Sequence, residues 1–405
     1  MAAPELLTPL KERDFARLWF GQMVSNSGDW VNYVALTALV WELTESAWMI
    51  AVLRACHALP LLLLGPFSGV FVDRWNRKTT LIATDLIRGG LVLLFPLVQD
   101  VNAILLIALA FNVVSTVFTP AKNAIIPQVI SRERLLAANS LSSTTQNIAM
   151  IVGPTIGGII LASGGWTAAF CLDSATFFVS AVAIASMSIS GVVERKPGEQ
   201  TSALDDLSEG FRFAAGYSPV RSAMLMELGV SLGWGCLNVL AIVIAENVLG
   251  GGATEYGLLL TSIGIGALTG AVISGQLGKQ VGLNSLFPIG FVLLGFATAG
   301  LAGSRILFAA SAAYFFIGTG RILIEVAATT TYQRSVPDAL RGRIFSLRHM
   351  VTHTAILAAN QMAGFFTDAA SVPPILISAA VILLIFVPFS YFLIVRPSQD
   401  KRYTR

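Results

Sequence analysis

Along the 405 residues, long apolar runs alternate with short polar breaks, and the run length is the first informative quantity. A helix needs about 20 mostly apolar residues to cross the hydrocarbon core of a bilayer, because each residue rises about 1.5 Å. Backbone groups left unpaired in lipid are too costly to tolerate, so such runs read as helices. The pattern predicts spans near 15–41, 46–72, 79–98, 102–126, 137–162 and 166–190, then near 218–247, 254–278, 284–302, 305–328, 345–367 and 372–395. Between the two sets lies the one long polar stretch, 191–218, with Glu194, Arg195, Lys196, Glu199, Asp205, Asp206 and Glu209. Its later part spaces Leu204, Leu207, Phe211 and Phe213 at roughly helical intervals, which suits a helix lying on a membrane surface. The expected organisation is an all-α integral membrane protein of twelve transmembrane helices in two six-helix bundles related by pseudo-symmetry. The first bundle covers 1–190, a linker with an amphipathic segment 191–217, the second bundle 218–396 and a tail 397–405.

Composition supports a lipid solvent. Hydrophobic residues make up 55% of the chain and charged residues 12%, more apolar surface than a water-soluble fold hides. The formal charge of +3 is too small to point to nucleic acid, but the placement of the 26 Lys and Arg is informative. With the N-terminus inside, all fall on the cytoplasmic side except Arg305 outside and Arg54, Arg88 and Arg321 within spans. Basic residues are retained on the cytoplasmic face, so a multi-pass protein of the cell membrane, an inner membrane, with both termini cytoplasmic is expected. The first 22 residues lack the short hydrophobic core and small-residue cleavage site of a signal peptide, so the first span is expected to be retained. Cys56, Cys171 and Cys236 sit in apolar runs without pairing or metal spacing and read as buried thiols.

The two halves echo each other. Val129-Ile-Ser-Arg-Glu-Arg-Leu-Leu-Ala-Ala-Asn-Ser-Leu141 opens the fifth span, and Ser335-Val-Pro-Asp-Ala-Leu-Arg-Gly-Arg-Ile-Phe-Ser-Leu347 opens the eleventh, as duplication predicts. Between the second and third spans stands Gly69-Val-Phe-Val-Asp73-Arg74-Trp-Asn-Arg77-Lys78, and in the fifth Gly153-Pro154-Thr-Ile-Gly157-Gly158. At these residues the chain resembles the major facilitator superfamily, whose loop motif is G-x-x-x-D-R-x-x-R-K and whose antiporter motif is G-P-x-x-G-G. The resemblance covers essentially the whole chain and implies the major facilitator fold. It implies that Gly69, Asp73, Arg74, Arg77 and Lys78 form an inner latch stabilising the outward-facing state, and that Gly153, Pro154, Gly157 and Gly158 belong to an exporter. Four residues before the Gly-Pro, where the family often has another glycine, this chain has Ala149. The counterpart of the loop motif in the second half, Gly275-Gln-Leu-Gly-Lys279, keeps only a remnant.

Ionisable side chains within spans are expensive unless paired or facing water, which makes each a candidate for function. By helix rise, Asp29 sits about 21 Å from the inner end of its span and Arg54 about 28 Å. A guanidinium reaching Asp29, with Asp173 as a second carboxylate, defines an expected central cluster in the first half, read either as a proton- or substrate-coupling site or as a static neutral pair. In the second half Glu227 and Arg321 fall at one depth and are expected to pair, with Glu325 one turn from Arg321 competing for it. Asp85 and Arg88, three apart, read as an intrahelical pair near the inner end. His349 and His353, four apart, read as rim packing, since no third ligand is near in sequence and no metal is expected. Trp30, Tyr33 and Trp234 would wall a cavity for an organic compound, and Asn139, Gln146, Asn147, Asn238, Asn360 and Gln361 would line it or join helices.

The chain carries no G-x-x-x-x-G-K-[ST] and no nucleophile with an evident His or acid partner, so an enzyme and a nucleotide-driven pump are not expected. The run Phe118-Thr-Pro-Ala-Lys-Asn-Ala-Ile-Ile-Pro127 and the step Gly28-Asp29-Trp30 resemble the macrolide and siderophore (enterobactin-type) exporters of the superfamily. That resemblance implies proton-coupled efflux of a mid-sized amphipathic compound of the drug or siderophore class by alternating access, with protons, a small-molecule substrate and the bilayer as partners. No cofactor, nucleic acid or obligate protein partner is expected. Gly28-Asp29 and Pro120-Ala-Lys122 resemble the lysophospholipid transporters as well, an alternative in which Lys122 would meet a lipid phosphate.

Overall fold

The computed structural model describes residues 7–72, 75–189 and 203–395, and among these every regular element is helical. The helices are α1 (Arg13–Thr44), α2 (Ala47–Val72), α3 (Arg77–Val92), α4 (Val101–Val129), α5 (Leu135–Ala185) and α6 (Ala203–Gly216). They continue with α7 (Ser218–Val243), α8 (Ala253–Val281), α9 (Leu286–Gly303), α10 (Leu307–Ser335), α11 (Asp338–Ala369) and α12 (Val372–Ser390). The stretch α5 is two helices. Gly165 breaks it at φ 68°, ψ −172°, a conformation that a side chain would oppose.

The contacts of α1 show that the chain reverses at this break. Going up α1, Trp19 bonds Thr145, and a Cβ on Gly153 would meet Trp30, so the first arm of α5 runs parallel to α1. Gln22 bonds Ser180, while Gly28 lies against Asp173 and Thr176, so the second arm runs antiparallel. Counting both arms, and setting the short α6 aside, the described residues form the twelve long helices expected. Nine helical stretches are apolar and long enough to cross a membrane among the described residues, the broken α5 being one of them. The helices α1 and α11 fall short of that criterion because they carry the polar faces discussed below.

The fold separates into two compact units. One gathers Met1–Glu45, Val52–Gly198 and Gly252–Thr261, and the other Ser46–Ala51, Glu199–Gly251 and Ser262–Arg405. Within the second unit α7 repeats the part of α1. Glu227 meets Arg348 and Gly235 meets Ile356 and Ala359, a parallel pairing with α11, whereas Gly229 meets Phe386 and Gly233 meets Leu383, an antiparallel pairing with α12.

Helix ends are set locally. Asn76 accepts from the Thr79 amide at 3.0 Å to start α3, and Asp100 accepts from Ala103 at 2.9 Å to start α4. In the second unit, Asp368 accepts from the amides of Ala47 at 2.7 Å and Trp48 at 3.2 Å and from the Ser46 hydroxyl at 2.5 Å, capping the N-terminus of α2. The helix α11 begins at Asp338, after Pro337, about two turns before the apolar run from 345 on which the sequence expectation was based. Large apolar side chains point outward, Phe308 82% and Leu97 77% exposed, as a lipid-facing surface requires. Helix α6 packs against α11, with Glu209 paired to Arg343 and Gly210 beside it.

Candidate functional site

A cavity of about 600 Å³ lies in the first unit, a size that suits a mid-sized organic molecule. Helix α1 gives it Gln22, Asn26, Asp29, Trp30, Tyr33 and Thr37, a spacing that keeps them on one helical face. The facing wall is α4, with Phe111, Asn112, Ser115, Phe118, Thr119 and Lys122 again at intervals of one turn. Arg54 and His57 from α2, Arg88 from α3, and Gln146 and Asn147 from α5 add to the polar lining, with Met150 beside them. Trp30 and Tyr33 meet edge to face with centroids 5.5 Å apart, forming an aromatic shelf between its two charged regions.

The first charged region surrounds Arg88. This side chain pairs with Asp85 one turn earlier, and its guanidinium lies 4.2 Å from the Phe118 ring centre and 4.5 Å from that of Phe177. Asp29 interacts electrostatically with Arg88, Asp85 and Lys122, and Asp173 interacts with Asp29 and Arg88. Asp173 is fully buried behind α1, where Thr176 donates to its Oδ1 at 3.4 Å, and Oδ2 of both Asp85 and Asp173 has no hydrogen-bond partner among the described residues. Three carboxyl groups thus share two cations. If all were ionised the cluster would hold one uncompensated negative charge, which a proton or a cationic group cancels.

The second charged region is Arg54, and here the expected pairing is not formed. Its Nη2 donates to Thr37 Oγ1 at 2.9 Å and to Tyr256 Oη at 3.2 Å, and the guanidinium lies 4.1 Å from the Tyr33 ring centre. Thr37 and Arg54 each lie seven residues from the turn joining α1 and α2, and are therefore level. Asp29 lies eight residues further along α1, about 12 Å by helix rise, too far for the ion pair expected. Asp173 serves the Arg88 cluster and likewise is not a partner of Arg54.

The Glu227–Arg321 pair expected in the second unit is not formed either. Glu227 is held by Arg348, with Nη2 to Oε1 at 2.6 Å and Nε to Oε2 at 2.9 Å, and Tyr332 donates to Oε2 at 2.8 Å. Arg321 sits with Glu325 at 3.5 Å, the competing partner named from the sequence, and stacks 4.6 Å from the ring centre of Trp234. Trp234 is seven residues beyond Glu227 on α7, so Arg321 lies about 10 Å further along that helix. Asn360 is buried with no partner for its Oδ1 among the described residues, Gln361 donates to the Ala51 carbonyl at 2.8 Å, and Asn238 is half-buried on α7. His353 Nδ1 lies 2.9 Å from the His349 carbonyl oxygen, and no group of three metal-binding side chains occurs among the described residues.

The glycine motif in α5 is a close-packing surface. A Cβ on Gly153 would lie 2.5 Å from Trp30 Cβ, and one on Gly157 would lie 3.0 Å from Val31 Cα, so α1 approaches as closely as backbone allows. On its other side, still in the first unit, a Cβ on Gly158 would meet the Ala253 carbonyl at 2.5 Å, and Thr155 bonds Thr261 at 2.6 Å. Of the loop motif, Asp73 and Arg74 lie outside the described residues, as do 190–202 of the linker and 396–405. Gly69 lies in α2; Arg77 donates to the Ala124 carbonyl inside α4 at 3.0 Å, and Lys78 to that of Met187, just past the end of α5, at 2.6 Å, so Lys78 caps a helix C-terminus.

The transmembrane secretion effector family matches residues 5–404. An uncharacterized transporter of the major facilitator type, YfiS of Bacillus subtilis, is 27% identical over 87% of this chain and 86% of its own. Macrolide efflux protein A of Streptococcus pyogenes is 23% identical over 87% and 89%. The putative bacilysin exporter BacE of Bacillus amyloliquefaciens is 28% identical over 95% of each. Among solved structures, a bacterial homolog of the human lysosomal transporter Spinster superposes with a TM-score of 0.74 at 15% identity, over 100% of both chains.

Proposed function

Because the chain belongs to the transmembrane secretion effector family of the major facilitator superfamily, we propose that it exports a mid-sized amphipathic organic compound in exchange for protons, by alternating access. The compound binds in the cavity of the first unit and Asp29 carries the proton. The observation that carries this reading is the charge imbalance of the Arg88 cluster, in which Asp29 faces the cavity while Asp85 and Asp173 are enclosed behind it. Protonation of Asp29 balances the cluster, and deprotonation restores the imbalance, so the cavity changes its charge as it takes or releases cargo. The basic residues concentrated at one end of the spans support a cell-membrane protein with both termini cytoplasmic. Export by relatives such as macrolide efflux protein A supports the direction.

Everted vesicles from a strain stripped of its own exporters provide the test. Screening antibiotics, siderophores and lysolipids there should reveal a compound taken up only under an imposed pH gradient, and Asp29→Asn should abolish that uptake. Undiminished uptake by the variant refutes the role of Asp29. The position of Lys122 in the cavity favours one second reading, lysophospholipid transport, in which its ammonium meets the lipid phosphate. Lysolipid flipping in liposomes, without a response to the organic compounds, would select it.

A further inference from the structure

Arg54 is a buried charge with no acidic partner among the described residues. It is 7% exposed, it lines the cavity, and its hydrogen-bond partners among the described residues, Thr37 and Tyr256, are neutral. Its Nε has no hydrogen-bond partner among the described residues. A buried guanidinium normally meets a carboxylate, since an uncompensated charge at depth is costly even with good hydrogen bonds. The Tyr33 face 4.1 Å away holds the guanidinium plane without neutralising it. Every acidic side chain at the cavity belongs to the Arg88 cluster, about two turns of α1 away, where cations already attend them.

We propose that Arg54 is the anchor for a carboxylate on the cargo, and hence that the preferred substrates are amphipathic organic acids that lay an apolar or aromatic body along Trp30 and Tyr33. The proposal rests on the first-unit cavity being the cargo site and adds the substrate class. Planar, always charged and pre-positioned by Thr37 and Tyr256, Arg54 presents the geometry that recognises a carboxylate. The Arg88 cluster lies beyond the aromatic shelf, so a cargo with a basic group at its far end satisfies both poles.

The test is a binding measurement that needs no gradient and so stands apart from proton coupling. Purified full-length protein in maltoside micelles is titrated with N-dansyl-phenylalanine and with its methyl ester, which differ in the one carboxylate charge. Wild type is expected to bind the acid about tenfold or more tightly than the ester, the usual size of a charged hydrogen-bonded contact. Arg54→Gln is expected to remove that preference while leaving ester affinity unchanged, which also reports that the variant cavity is folded. Arg54→Lys, which keeps charge but loses the fork, should retain part of it. Equal affinities in wild type, a preference that survives Arg54→Gln, or no binding of either probe would overturn the proposal. Displacement of the acid by a lysophospholipid but by no other carboxylate would overturn it too, assigning Arg54 to phosphate. Transport undiminished by Asp29→Asn, with the acid preference intact, would leave this assignment standing and remove only the proton role.

Discussion

The two units use one helix arrangement and treat buried charge in opposite ways. In each, a central helix, α1 or α7, packs in parallel against one partner and antiparallel against another through glycines. In the second unit the acid at its heart is satisfied directly, since Glu227 receives bonds from Arg348 and Tyr332, and Arg321 has Glu325 and Trp234. In the first unit three carboxyls share Arg88 and Lys122, and Arg54 has only neutral hydrogen-bond partners, all around a cavity. One helix arrangement thus carries a directly paired acid in one unit and, in the other, three carboxyls around two cations beside a cavity, the arrangement that the proposed cargo- and proton-binding site uses. The lopsided loop motif, five residues in the first half and a remnant in the second, follows the same division.

The sharpest way to break this contrast is to neutralise the two acids in parallel. Asp29→Asn should reduce gradient-driven transport to background while melting close to wild type, because it removes an excess charge. Glu227→Gln should do the reverse, costing about 3–5 kcal/mol of stability by stranding Arg348, with transport per folded molecule largely kept. Thermal melts beside vesicle uptake separate them; identical behaviour of the two variants would erase the distinction. A smaller effect is expected at the packing surface. Gly153→Ala, placing a methyl against Trp30 Cβ, should cost about 1–3 kcal/mol and narrow the cavity at its aromatic shelf, seen as a lower melting temperature and weaker cargo binding. The smallest belongs to the exposed Glu209–Arg343 pair, where Glu209→Gln should change stability by under about 1 kcal/mol and leave transport intact.

The helix count was legible because it is a local property of run length, and the gap between the spans expected to end at 162 and begin at 166 holds the break at Gly165. Glu325 as a partner for Arg321 was legible too, being one turn away on the same helix. The partners across helices were not. Lys122 and Arg348 had been counted among the basic residues of the cytoplasmic side, yet Lys122 lines the cavity and Arg348 holds Glu227. Placing the start of α11 at 345 put Arg348 at the rim, whereas Asp338 and Pro337 start it earlier and carry Arg348 deeper. With that start, Glu227 and Arg348 lie nine and ten residues into parallel helices, and the pairing becomes readable. The same rise arithmetic separates Asp29 from Arg54. Asp85–Arg88 was read as a rim pair, and nothing local signalled that Phe118 and Phe177 would enclose Arg88 at the cavity.

The first unit is proposed to hold a proton and to release it to solution as cargo binds. Purified protein in weakly buffered micelles, mixed with the transported compound beside a pH-sensitive dye, measures this directly. Wild type is predicted to release about one proton per cargo bound, by linkage between the two, and Asp29→Asn none. Binding without proton release in wild type, or equal release from the variant, would contradict it.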